Sequence, residues 1–169
     1  SLMVQLTPEA MHVLNDAIEP LPHVRQVSYA TVSPPPLLAL KRSRWKDLLI
    51  PVETILYSTL YTLTSSPEAG FDYHPPVDPV EAVTGARLDF PVDTGACDGV
   101  VPSLSMIHGE FRGFVRADHL DVVGHYLRGT AEQRDGADWF LSGAHFDRAR
   151  FDQLWGDVTK VLLGPAVTS

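Results

Sequence analysis

Residues 107–125 read IHGEFRGFVRADHLDVVGH. The first part, Ile107–Ala117, alternates weakly and carries Phe111, Phe114 and Val115. It reads as a β-strand, or as a strand entered through a turn at Gly109. Upstream, Val24–Val32 (VRQVSYATV) is rich in β-branched and aromatic residues and reads as another strand. Ser33-Pro34-Pro35-Pro36 ends it, because proline has no N–H to give to a ladder. Strands separated by helical stretches imply a parallel sheet with helices packed on it, so the fold class expected is α/β, with few parallel strands, flanking helices and long loops.

The helical stretches follow from capping and spacing. Thr7-Pro8-Glu9 opens a helix, with Met11, Leu14 and Ile18 at helical intervals before Pro20 and Pro22. Trp45–Leu63 is expected to be helical, with an apolar face of Leu49, Val52, Leu56, Leu60 and Leu63, and with Pro51 as a kink or a true start. Ala144–Leu163 is the strongest helix, with Phe146, Ala149, Leu154, Val158, Val161 and Leu162 as its buried stripe and Gly164-Pro165 as its stop. Shorter helical segments are expected over Leu120–Leu127 and Asp138–Leu141, with a turn or short helix over Pro79–Thr84. Ser65–Pro79 and Gly85–Pro102 read as loops long enough to carry function, and Arg128–Gly136 as a turn. Trp139 and Trp155 are expected to anchor the core.

Composition narrows the function classes. The chain has 169 residues, 44% apolar and 20% charged, which suits a single domain over 1–169. A net charge of −8 argues against a nucleic-acid partner, since phosphate binding needs a basic surface. The one basic cluster, Lys41, Arg42, Arg44 and Lys46, reads as a solvated helix start. Leu48–Leu63 is too short and too polar for a membrane span. With Cys97 as the only cysteine, no intramolecular disulfide forms, which fits a reducing compartment or a fragment. No secretory signal opens the sequence, so the compartment stays open.

The chemistry gathers in two segments: Ala96-Cys97-Asp98-Gly99-Val100-Val101-Pro102 and Ala117-Asp118-His119-Leu120-Asp121-Val122-Val123-Gly124-His125. A histidine that takes a proton from a hydroxyl and returns it needs its other ring nitrogen held by a carboxylate. An Asp on a glycine-containing turn and a His after the last strand can meet at the C-terminal edge of a parallel sheet.

These two segments resemble the end of the α/β-hydrolase fold as found in bacterial triacylglycerol lipases. In that family an Asn-Asp-Gly-x-Val segment supplies the acid of the catalytic triad and a His-Leu-Asp segment supplies its base; Asp98 and His119 stand at the matching positions. Leu6-Thr7-Pro8-Glu9-Ala10-Met11, Ser28-Tyr29-Ala30-Thr31 and Asp138-Trp139 leading into Phe146-Asp147 extend the resemblance over most of the chain. It implies a C-terminal portion of such an enzyme. It also implies a structural calcium, with Asp121 as one ligand and Asp72 or Asp78 as a second acid. Where the family often has glutamine, six residues past the base, this sequence has His125, a poor match for calcium.

No Gly-x-Ser-x-Gly occurs in the sequence, and the serines present lack that glycine context. The expected function is therefore an incomplete lipase- or esterase-like hydrolase, with acid and base but no serine nucleophile, acting on an ester or lipid only when a nucleophile-bearing segment completes it. The alternative is a non-enzymatic binding module. Two further readings are weaker: a transition-metal cluster of Asp118, His119, Asp121 and His125, and Cys97 as a nucleophile. His108 and His125 read as structural or surface residues.

A partial sheet leaves an edge and helix faces to cover, so a homo-oligomer is expected. Size-exclusion chromatography with light scattering should give a mass above the 18.6 kDa of one chain; a clean monomer would count heavily against it.

Overall fold

A computed structural model describes residues 23–36, 52–65, 78–127 and 136–164, together with Val13 and Ala17. Apart from Val13 and Ala17, which are helical, the expected first helix lies outside the described residues, as do the basic cluster at 41–46, the helical stretch before Val52, most of the Ser65–Pro79 loop and the turn over 128–135. Among the described residues the elements run β1 (Val27–Val32), α1 (Val52–Thr64), β2 (Glu110–Arg116) and α2 (Arg148–Leu163), with short 3-10 turns at Ser103–Met106 and Asp121–Val123. The two strands pair in parallel. Helices combined with a parallel pair agree with a partial α/β arrangement.

The weak alternation of β2 has a structural cause. Ser28 pairs with Phe111 and Ala30 with Phe114, so Tyr29 alone stands opposite both Arg112 and Gly113. This is a β-bulge, and it bends the strand and shifts the side-chain phase. Gly113 takes φ +133°, and a Cβ there would lie 3.1 Å from Ala82 and from the Val80 carbonyl, so glycine is required. Beyond the bulge, consecutive Phe114 and Val115 are both buried, in different clusters. Phe114 joins Ala30, Val32, Phe90, Val92, Ala96 and Leu104 on one side. Val115 joins Ala117, Tyr126, Phe146 and Leu154 on the other, where α2 lies. Each buried side chain of this size stabilises by about 1.5–3 kcal/mol.

Both strands have their outer edges partly covered. Val32 turns its carbonyl to β2, accepting from Ala117 N–H, so its neighbour Thr31 turns its backbone outwards. There the Thr31 N–H meets Met106 Sδ at 3.3 Å and the Thr31 carbonyl accepts from Ser103 Oγ at 2.6 Å. On the far side of β2, a short bridge from Glu81 meets Phe114. The edge expected to be open is thus blunted at these positions by the chain's own loops.

Several helical expectations are corrected. In α1 the buried residues are Tyr57 and Tyr61, while Val52, Leu56 and Leu63 are exposed and Leu60 is partly buried. Aromatic area outweighs the leucine stripe here, because the Tyr57 hydroxyl finds buried partners: it donates to the Pro34 carbonyl and meets Ser33 Oγ, each at 2.7 Å. Helix α2 begins only at Arg148. Asp147 caps it by accepting from Arg150 N–H at 2.9 Å, so Phe146 is buried ahead of the helix. Ala149 and Leu162 are exposed instead of joining the stripe. Leu120–Leu127 reduces to the 3-10 turn Asp121–Val123 closed by Gly124. Asp138–Leu141 is a bend, with Leu141 at φ +46° and its N–H donating to Asp138 Oδ1. Over Pro79–Thr84 the turn, one of the two forms expected there, is the one present, at 82–84. Trp139 and Trp155 are more than 40% exposed, not core anchors. Trp155 Nε1–H donates to the Val122 carbonyl, tying α2 to the 3-10 turn, and Trp139 meets His125 edge-to-face. No helix is long and apolar enough to cross a membrane among the described residues.

Tyr57→Phe should lower stability by about 1–2 kcal/mol, because it leaves buried oxygens of Ser33 and Pro34 with one partner fewer. Urea denaturation followed by tryptophan fluorescence measures this, and an unchanged midpoint would refute the role given to the hydroxyl.

Candidate active site

Parallel pairing puts the C-terminal ends of β1 and β2 at the same edge, and the two candidate residues meet there. His119 lies three residues past the end of β2. Asp98 does not follow β1 directly; the chain makes an excursion over residues 33–97, including α1, and returns to the strand end through Ser33 N–H donating to the Cys97 carbonyl. The returning loop closes on itself, with Cys97 bridged to Pro102 and Ser103 N–H donating to the Ala96 carbonyl. Gly99 turns this loop at φ +96°, and a Cβ there would press on the Tyr57 ring at 3.1 Å.

Asp98 is 1% exposed, and four donors converge on it. Oδ1 accepts from the Val100 and Val101 N–H groups at 3.0 and 2.8 Å. Oδ2 accepts from Thr31 Oγ1 at 2.7 Å and lies 2.9 Å from His119 Nδ1. A carboxylate offers about four lone-pair sites, and all are occupied. The Asp98 carbonyl also accepts from His119 N–H at 3.0 Å, so the two residues are tied through backbone and side chain.

This arrangement assigns the histidine tautomer. A carboxylate only accepts, so Nδ1 of His119 is the donor. In the neutral ring the lone pair then sits on Nε2. Among the described residues no group bonds Nε2, and the His119 side chain is 43% exposed. A buried carboxylate behind a half-exposed imidazole is an arrangement in which the second ring nitrogen could take a proton from an incoming group and give it back.

Sequence reasoning overlooked Thr31 as a partner of Asp98. The signal available was a hydroxyl one residue before the end of a predicted strand, a weak one. Cys97 is not a nucleophile here: it is buried, its thiol contacts the Tyr61 carbonyl at 3.8 Å, and burial pushes its pKa up to about 12. His108 is exposed and bonded to Gln26.

The calcium expectation finds only part of its ligands. Asp72 lies outside the described residues, and Asp78 is exposed and paired with Arg87 rather than with Asp121. What gathers at Asp121 is Asp118 and Asp138, with carboxylate oxygens within 4.8 Å of one another. Neither His119 nor His125 belongs to this group, so the transition-metal cluster is not assembled among the described residues. Oxygen donors suit calcium in type, but these carboxylates already serve their own loop. Asp118 Oδ1 accepts from Leu120 and Asp121 N–H, and its Oδ2 accepts from Ser142 Oγ. Asp121 Oδ2 accepts from Asp118 N–H, and Asp138 Oδ1 from Leu141 N–H. The cluster therefore braces the loop that follows His119, and no metal is assigned to it.

Burial pushes the Asp118 carboxyl up to about 6, against partial relief from the Ser142 hydrogen bond. Its folded value lies above its unfolded one, so between about pH 4 and 6 the folded state holds the proton that the unfolded state has lost. The stability this group contributes is fully present below that window and falls as pH rises through 6. Asp118→Asn should remove that slope. Thermal melts of both proteins in EDTA from pH 4 to 7 test it: the native-minus-variant difference should decline with pH, and a constant difference would refute the assignment.

Searches against protein-family models, curated proteins and solved structures found no match, so the reading of this site rests on its own geometry.

Proposed function

We propose that Asp98 and His119 are the acid and base of a carboxylic ester hydrolase of the Ser-His-Asp class, lipase- or esterase-like. One observation carries the reading: the 2.9 Å contact of His119 Nδ1 with a fully satisfied buried carboxylate, with the imidazole otherwise exposed. The sheet-edge position supports it, since open α/β sheets place their sites outside the C-terminal ends of the strands.

In this reading Nε2 of His119 takes the proton of a hydroxyl nucleophile as its oxygen attacks the ester carbonyl. The imidazolium formed is stabilised by Asp98. Nε2 then returns the proton to the departing alkoxide, leaving an acyl group on the nucleophile. Water, activated by the same nitrogen, releases the acid. The sequence holds no Gly-x-Ser-x-Gly, so this reading assigns the nucleophile and its oxyanion donors to a nucleophile-bearing segment that completes the site.

The chain alone should hydrolyse p-nitrophenyl butyrate barely above free imidazole. Joined to a nucleophile-bearing segment it should turn over, and His119→Ala should then lower kcat by roughly a thousandfold or more. Asp98→Asn should do comparable damage through the wrong tautomer. Hydrolysis that survives His119→Ala would sink the proposal.

A further inference from the structure

We propose that Thr31 is a positioning residue for the Asp98–His119 pair, its hydroxyl sharing Asp98 Oδ2 with His119 and thereby setting how strongly the carboxylate polarises the ring. A catalytic purpose for this tuning rests on the hydrolase reading; the tuning itself does not.

The geometry fixes the direction of the Thr31 hydroxyl. Its oxygen lies 2.7 Å from Asp98 Oδ2 and 3.2 Å from Met106 Sδ. It has one hydrogen to give. A thioether is a weak acceptor, whereas a carboxylate makes a charge-assisted bond roughly twice as strong as a neutral one. Were the hydrogen turned to sulfur, two oxygen lone pairs would face each other at 2.7 Å. The hydroxyl therefore donates to Asp98.

Its target matters. Oδ1 is held by two backbone N–H groups of its own loop, which no side-chain change removes. Oδ2 is held by two side chains only, Thr31 and His119. Negative charge drawn into the Thr31 bond is charge not offered to His119 Nδ1–H. Among the described residues the hydroxyl also makes the one hydrogen bond through which β1 grips the acid, so strand position and ring electronics are set together. Thr31 is well fixed for this: its backbone N–H and carbonyl are engaged by Met106 and Ser103.

The test uses the whole chain at one pH, with the His119 ring followed by 15N-edited NMR. Thr31→Val keeps the branched shape that suits a strand and removes the donor. The Nδ1–H proton should move further downfield, and carbethoxylation of His119 Nε2, resolved by mass spectrometry, should speed up by roughly two- to fivefold, as expected for losing part of a charge-assisted hydrogen bond. Thr31→Ser should restore native values. Thr31→Cys, with a weaker donor of similar size, should fall between and serves if the valine variant does not fold. Resonance and rate unchanged in the valine or cysteine variant, or moved the opposite way, would overturn the proposal. Failure of the hydrolase reading shows elsewhere, as ester turnover indifferent to His119→Ala, and leaves these ring signals unaffected.

Discussion

A buried carboxylate must be surrounded by donors or it unfolds what surrounds it, and the packing around Asp98 answers that constraint. Leaving such a charge unpaired costs several kcal/mol. Here its donors come from three places: the acid's own loop, β1 and the loop after β2. Satisfying one side chain therefore ties together segments far apart in sequence. Neighbouring features read as consequences. Gly99 is needed so that the loop can turn its N–H groups inwards beneath the Tyr57 ring, and Tyr57 holds the end of β1 through Ser33 and Pro34.

The same constraint separates the two halves of the site. Asp98 is enclosed, while the His119 side chain is partly open to solvent. On the proposed reading this asymmetry suits proton transfer, with the carboxylate dry and fixed and the imidazole partly open to solvent. An ordinary surface ion pair lacks it, because two exposed partners are screened and mobile and contribute little. Arg148 and Asp152 on α2 illustrate that contrast, both being largely exposed.

How far the sequence foretold the molecule depends on the range over which each feature is decided. The strands were legible because residue type and proline stops act locally, although both are shorter than read. The meeting of Asp98 and His119 was legible because each sits in a short segment beside a strand end or a glycine turn. The bulge at Gly113 was not, since a two-against-one pairing depends on the partner strand. Neither was the buried face of α1: leucine spacing favoured one side, and the hydroxyl partners waiting for Tyr57 decided for another. The gathering of Asp118, Asp121 and Asp138 escaped for the same reason, because Asp138 arrives from a separate loop.

Thr31 shows why such partners escape a sequence reading. On a strand, its side chain and its backbone face different neighbours, and both matter. Its hydroxyl completes the shell of Asp98, while its outward N–H and carbonyl are covered by Met106 and Ser103 from the 3-10 turn just beyond the acid's loop. One stretch of chain, residues 96–106, thus delivers the carboxylate and seals the strand edge that receives it. An edge sealed by side chains is poorly placed to recruit another strand at that point, so the contacts that cover the edge of β1 and those that hold Asp98 are made by the same segment.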